Sequence, residues 1–264
     1  VPPPLLTLTT DFGAGSGYPA QVKAVLLRAL PDARIVDVSH EVPRYDVLAG
    51  ALLLEACIPW FPPGAIHLAV VDPGVGTARR ALCAVDADAR TFVAPDNGLL
   101  TPFLGEGTRA FAIEPGRAVA ASRSATFHAR DLFAPAAAFL ASGGDPAALG
   151  PAVPDPVRLP WPAAVARGGE ISGETLAADP FGNLVTSIRA ADLAGAAVAA
   201  ASAGGRPARW VRTFGEGAPG ELLALVGSGG RVEIAVREGS AAAALAGTRG
   251  IPVRLVLGRA GGPC

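Results

Sequence analysis

An α/β N-terminal domain built on a parallel sheet, followed by a smaller all-β domain, is the fold class predicted by this 264-residue sequence. Three observations carry that expectation. As far as Ser142, apolar strand-like runs alternate with helix-periodic stretches in the β-α-β-α-β rhythm of a parallel sheet. Between Asp145 and Pro162, Pro146, Pro151, Pro154, Pro156, Pro160 and Pro162 interrupt every regular pattern. Beyond them, only short β-leaning runs separated by Gly and Asp turns remain.

Taken in order, Leu5 to Thr9 reads as a buried strand, followed by the Gly-rich loop Asp11-Phe12-Gly13-Ala14-Gly15-Ser16-Gly17 and a helix from Pro19 to Leu30. Arg34 to Val38 is a second strand and Asp46 to Ile58 a second helix, which Pro59 helps to stop. Ala65 to Val71 is a third strand, Arg80 to Val85 and Thr91 to Ala94 are further strands, and Leu132 to Ser142 reads as a helix packed on the sheet. The expected organisation is an α/β domain over 1–150, a proline-rich extended linker over 151–168 and a β domain over 169–264. In the last, Glu170 to Ala177, Leu184 to Arg189, Leu222 to Val226 and Arg231 to Val236 are the expected strands. The Ala-rich segment Ala194 to Ala203 reads as a helix or a variable excursion.

Composition removes several function classes. The hydrophobic fraction of 50% supports a substantial core, and the formal net charge of -1, with basic residues scattered, lacks the footprint of a nucleic-acid binder. Apolar stretches such as Val47 to Cys57 are too short to cross a bilayer, and the Val1-Pro2-Pro3-Pro4 start has no secretory pattern, so a cytoplasmic location without membrane or nucleic-acid partners is expected. Cys57, Cys83 and Cys264 lack C-x-x-C spacing and read as small hydrophobes. His40, His67 and His128 lie far apart, so no metal site is expected. Lys23 is the only lysine and follows no Walker loop, which removes the P-loop. Tyr18 breaks the G-x-G-x-x-G pattern, and no cofactor is expected.

The richest motif is Val70-Val71-Asp72-Pro73-Gly74-Val75-Gly76-Thr77-Ala78-Arg79-Arg80, an apolar strand running into a Gly-rich turn that carries a carboxylate and a guanidinium. Strand ends of this kind are where ligands bind in open α/β sheets, although Asp-Pro-Gly is also ordinary turn chemistry. Asp11 sits immediately after the first strand, where an acid can accept hydrogen bonds from a ribose diol or simply cap a turn. Asp96 and Asn97 read equally as turn formers and as ligands. His128 lies among charges in Thr126-Phe127-His128-Ala129-Arg130-Asp131, just before a helix whose N-terminus suits Asp131. In the second domain, Asp179-Pro180-Phe181-Gly182-Asn183 offers a carboxylate, an aromatic face and an amide, a set able to hold a purine, with a plain hairpin as the rival reading. Gly227-Ser228-Gly229-Gly230-Arg231 is a Gly-rich turn whose exposed amides suit a carboxylate.

Taken together and in this order, Thr9-Thr10-Asp11-Phe12-Gly13, Val70 to Thr77, Pro95-Asp96-Asn97-Gly98, Thr126 to Asp131, Phe181-Gly182-Asn183 and Glu233-Ile234-Ala235-Val236 resemble the S-adenosyl-L-methionine hydroxide adenosyltransferases, relatives of the fluorinase and chlorinase. The resemblance runs from about Leu5 to Leu255. It implies a Rossmann-like N-terminal domain with a mostly parallel sheet and a barrel-like C-terminal domain. It also implies hydrolysis of S-adenosyl-L-methionine to adenosine and L-methionine, with Asp72, Arg79 and His128 as the hydrolase set that the halogenases lack. Halide-dependent synthesis of a 5′-halo-5′-deoxyadenosine and a non-catalytic sensor are the alternatives. By the same resemblance Asp11 holds the ribose hydroxyls, Asp179 and Ser228 the methionine amino and carboxylate groups, Phe181 and Asn183 the adenine, and the backbone around Glu238 the purine edge. Gly229 and Val236 stand where the fluorinase has arginines, leaving the contacts there open. Relatives form trimers with sites between subunits, so a homotrimer is expected.

Overall fold

The computed structural model describes residues 2–120 and 124–258, so Cys264 lies outside the described residues. The chain divides into two compact units, Val1–Pro160 and Trp161–Cys264.

The first unit holds β1 (Leu5–Thr10), α1 (Tyr18–Ala29), β2 (Arg34–Ser39), α2 (Val47–Cys57), β3 (Ile66–Val70), β4 (Ala81–Val85), β5 (Thr91–Pro95), β6 (Arg109–Ala112) and α3 (Ala134–Ala141). Its six strands lie in the order β2-β1-β3-β5-β4-β6. β2, β1, β3 and β5 run parallel, and β4 pairs antiparallel with both neighbours. The sheet is therefore mixed around a parallel centre. Strand alternation sorts its faces: Leu6, Leu8, Ile66, Leu68 and Val70 pack with Val22 and Leu26 of α1 and with Ala134, Ala137 and Leu140 of α3. On the other face, His67 is 1% exposed, accepts or donates one hydrogen bond with Thr7 Oγ1 at 2.9 Å, and lies against Phe61 and Phe92. Burial drives the His67 pKa down to about 4, so it is a neutral core residue at pH 7.

Parallel register aligns the strand ends. Thr10 pairs with Val70 and Thr9 with Ser39, so the segments after β1, β2 and β3 all leave from the carboxyl edge of the sheet. The reversal at β4 begins at that same edge. The helix expected from Leu132 instead opens with a π-helical turn at Ala129–Phe133. Pro135 has no N–H to return to the Asp131 carbonyl, and the turn before it is widened accordingly. The proline-rich stretch continues along this unit: Pro151 accepts from Ala112 N at 2.8 Å, and Thr101 Oγ1 accepts from Leu159 N at 2.9 Å.

The second unit contains β7 (Val165–Arg167), β8 (Glu170–Ala178), β9 (Leu184–Arg189), β10 (Val198–Ala203), β11 (Arg206–Trp210), β12 (Leu222–Val226), β13 (Arg231–Val236), the single turn α4 (Ala241–Ala244) and β14 (Pro252–Leu257). The order β14-β10-β11-β12-β13-β9-β8 closes on itself through the β14–β8 pairing, giving a seven-stranded barrel with β7 added to β8. Ile171, Leu184, Ile188, Ala203, Val232, Ile234, Val253 and Leu255 fill its core. Closure leaves no free edges in the ring. It also explains the main departure from expectation: Ala194 to Ala203 is no helix, because Val198–Ala203 is needed as the strand between β14 and β11, and pairing overrides alanine's helical preference.

Candidate active site

Asp72, Arg79 and His128 come into direct contact at the carboxyl edge of the first sheet. Asp72 follows β3, and the turn returns through Gly74, where Thr77 N and Oγ1 donate to the Gly74 carbonyl at 3.2 and 2.7 Å. Gly76 takes a positive φ of 79°, and a Cβ there would stand 2.8 Å from the Ala125 carbonyl oxygen. Only glycine allows this turn to lie so close to the segment carrying His128. The turn ends at Arg79, whose Nε donates to Asp72 Oδ1 at 3.1 Å while Nη2 donates to Oδ2. The pair is a two-pronged fork between side chains that are 8% and 5% exposed. The Arg79 guanidinium also lies 5.3 Å from the Phe133 ring centre.

Arg79 Nη2 is 3.3 Å from His128 Nδ1. A guanidinium only donates, so Nδ1 accepts and the neutral ring carries its proton on Nε2. Electrostatics agrees: burial first, then the Arg79 charge, pushes the His128 pKa down against the opposing pull of Asp72 and Asp131. Burial likewise pushes the Asp72 carboxyl up, and Arg79, His128 and the Gly74 N–H only partly offset it. Asp72 is thus a better proton acceptor than an ordinary surface carboxylate.

Asp11, Asp72 and His128 line one cleft of about 280 Å³, together with Tyr18, Arg44, Tyr45, Thr126 and Phe127. Asp11 Oδ2 accepts from Tyr45 N at 2.9 Å. Phe12, Tyr18 and Phe127 meet edge to face with centroids 5.1 to 5.9 Å apart, forming an aromatic wall beside it. The sequence reading missed Tyr45, which holds φ 65° without being glycine, a conformation that residue types do not announce. Asp96 and Asn97 are engaged in hydrogen bonds of the fold. Asp96 accepts from Arg80 Nε and Val157 N, each at 2.7 Å, and Asn97 Nδ2 donates to the Val71 carbonyl at 2.8 Å, bracing the strand end next to Asp72.

The remaining sequence-predicted residues belong to the second unit. Asp179, Phe181 and Asn183 form one turn between β8 and β9: Asp179 Oδ1 accepts from Phe181 N at 2.9 Å and Asn183 N at 2.8 Å, while Oδ2 accepts from Asn183 Nδ2 at 2.8 Å. Phe181 itself is 80% exposed. Ser228 precedes β13 and Glu238 follows it, so the two stand at opposite ends of one strand. Glu238 takes φ 55° and pairs with Arg237 at 3.2 Å.

Family models described as the SAM hydroxide adenosyltransferase N-terminal domain and C-terminal domain match residues 6–150 and 173–254. Over 256 residues the chain is 44% identical to a protein of Thermus thermophilus named (R)-S-adenosyl-L-methionine hydrolase, covering 94% of this chain and 97% of that one. A fluorinase of an Actinoplanes species is more distant, 31% identical over 219 residues, with 72% and 73% of the two chains covered. Among solved structures, an uncharacterized conserved protein from Thermotoga maritima superposes with a TM-score of 0.87 at 33% identity, over 95% of this chain and 99% of that one. With both domain models matched and such relatives spanning almost its whole length, the chain belongs to the SAM hydroxide adenosyltransferase family.

Proposed function

We propose that this chain is an enzyme that hydrolyses S-adenosyl-L-methionine to adenosine and L-methionine, by in-line attack of water on the ribose 5′ carbon. The observation that carries the reading is the fork by which Arg79 ties Asp72 and His128 together on the wall of the cleft that also holds Asp11. The 44% identity to a protein named for this hydrolysis supports it. A sulfonium is a good leaving group, so the enzyme's task is to hold and desolvate one water behind the carbon. His128 donates from Nε2 to the water oxygen, Asp72 takes the proton that leaves as the carbon–oxygen bond forms, and Arg79 fixes both partners. The electron pair of the breaking carbon–sulfur bond goes to sulfur, which departs neutral in methionine. Asp72 acts on water and not on sulfur, because a carboxylate against the sulfonium would stabilise the ground state that must be lost.

Asp11 binds the ribose hydroxyls. Asp179 and Ser228 bind the methionine end, Phe181 and Asn183 bind adenine, and the backbone at Glu238 meets the purine edge. These groups are divided between the two units, and the exposed Phe181 ring supports an assembly in which they meet across subunits: a homotrimer with three shared sites. A cytoplasmic location is part of the reading, supported by the free thiols Cys57 and Cys83. No helix among the described residues is long and apolar enough to cross a membrane.

The deciding experiment is incubation with S-adenosyl-L-methionine, with and without chloride, followed by chromatography. Adenosine in both arms is the expected result. A halonucleoside that appears only with chloride, or unchanged substrate, would overturn it.

A further inference from the structure

His40 is buried and has no part in the mechanism above, yet it touches the Asp11 loop on both sides of the carboxylate. Before Asp11, Thr10 Oγ1 lies 2.8 Å from His40 Nδ1. After it, Gly13 N donates to the His40 carbonyl at 2.7 Å. Neighbouring bonds close the clamp: Glu41 Oε1 accepts from Ala14 N, and Thr10 O accepts from Val42 N at 3.3 Å. The segment after β2 is thus a template against which the loop after β1 is moulded, with Asp11 at its centre.

A line of polar side chains runs from Lys23 through Asp37 and His40 to Thr10. Asp37 Oδ1 stands 3.1 Å from His40 Nε2, and Lys23 donates to Asp37 Oδ2. A proton on Nε2 faces that carboxylate, so Nδ1 accepts from the Thr10 hydroxyl, and Thr10 Oγ1 in turn accepts from Phe12 N at 3.3 Å. Thr10 is 2% exposed, so its hydroxyl has no water to turn to if Nδ1 is lost. Asp37 of β2 stands within ion-pair distance of His40 and is itself paired with Lys23 of α1, and the Glu41 carboxylate is engaged at Ala14.

We propose that His40 is a positioning residue for ribose recognition: through Thr10 Oγ1 on one side and Gly13 N on the other, it fixes the backbone that aims Asp11 at the ribose diol. The inference rests on the assignment of Asp11 to the ribose hydroxyls, and it adds His40 and Thr10 to the specificity machinery. His40 contributes to binding of the sugar and leaves the water-activating set untouched.

The test is calorimetric binding of adenosine and of 2′-deoxyadenosine to the intact protein and its variants. The wild type is expected to prefer adenosine by about tenfold or more, the worth of charge-assisted hydrogen bonds to the diol. In His40→Leu that preference collapses toward unity, while methionine binding is unchanged. His40→Asn, which keeps an acceptor near the Nδ1 position, retains most of it. Thr10→Val breaks the same bond while leaving His40 in place, so it reads the effect even if His40→Leu fails to fold. In S-adenosyl-L-methionine hydrolysis the loss falls on KM and not on kcat. A wild-type preference that survives in both His40→Leu and Thr10→Val overturns this inference alone. A wild type with no preference overturns the ribose assignment of Asp11 and this inference with it.

Discussion

Replacing Asp72 with asparagine keeps the outline of the side chain and removes its charge, which separates what the carboxylate does for the fold from what it does for water. The fork involves two side chains that are 5% and 8% exposed, so the substitution strands the Arg79 cation in a site that water hardly reaches. One guanidinium N–H can still reach the amide oxygen, but the other then meets an NH₂ group. Removing one partner of a buried pair typically costs 3–5 kcal/mol, and retention of one bond puts Asp72→Asn near the lower end, at about 3 kcal/mol in urea unfolding. Burial raises the Asp72 pKa despite Arg79, so the charge is held there against solvation, and Arg79→Met on top of Asp72→Asn should recover much of the lost stability. Catalysis should not recover. An amide cannot take a proton from water, and loss of a positioned base lowers turnover by about 100-fold or more, with KM changed by no more than about threefold. Single-turnover assays with enzyme in excess, at a temperature where the variant is folded, measure adenosine release directly. Folded Asp72→Asn releasing adenosine within about threefold of the wild-type rate would refute the role of Asp72 on water.

Other expectations follow from the same geometry. Asp72 and His128 both act deprotonated, so kcat/KM should fall as pH falls along an acid limb to which Asp72 contributes above its ordinary 3.8 and His128 below its ordinary 6.5, and His128→Ala should reshape that limb. A limb above 6.5 would contradict the neutral His128. Asp11→Ala should weaken adenosine binding by about 1 to 3 kcal/mol in calorimetry while leaving methionine binding unchanged; unaltered adenosine affinity would make Asp11 a turn residue. His67 has its folded pKa depressed to about 4, so its contribution is complete above 6.5 and is lost as pH falls toward 4, about 3 kcal/mol in all. Denaturant titrations should show this slope in the wild type and a shallower one in His67→Leu. Mixing Asp72→Asn chains with Asn183→Ala chains should restore some activity by pairing intact halves across subunits; no recovery despite demonstrated subunit exchange would argue against a shared site.

Much of the first unit was legible because its strands are continuous apolar runs and its site residues stand at strand ends. The Asp72 to Arg79 turn shows its purpose locally, since Gly74 and Gly76 are needed for the chain to double back within so few residues. Less legible were elements whose form is dictated from elsewhere. β10 is strand only because the barrel must close between β14 and β11, and alanine carries no trace of that demand. The π turn before α3 traces to Pro135, whose missing N–H leaves the Asp131 carbonyl without its helical partner. The clamp on Asp11 was hidden because Thr10 meets His40, and Asp11 meets Tyr45, only once β1 and β2 are paired in register.

Asp72 and Arg79 are seven residues apart in the chain, whereas Arg79 and His128 are separated by 49. The ion pair is therefore heritable as a unit: one short stretch of sequence encodes both partners and the glycines that fold them together, and it can persist while distant parts of the protein change. His128 arrives on a separate stretch that packs closely on that turn at Gly76, so a second, distant part of the sequence places the imidazole. The site thus rests on two separate stretches of sequence, a short electrostatic anchor and a distant arm that brings the imidazole.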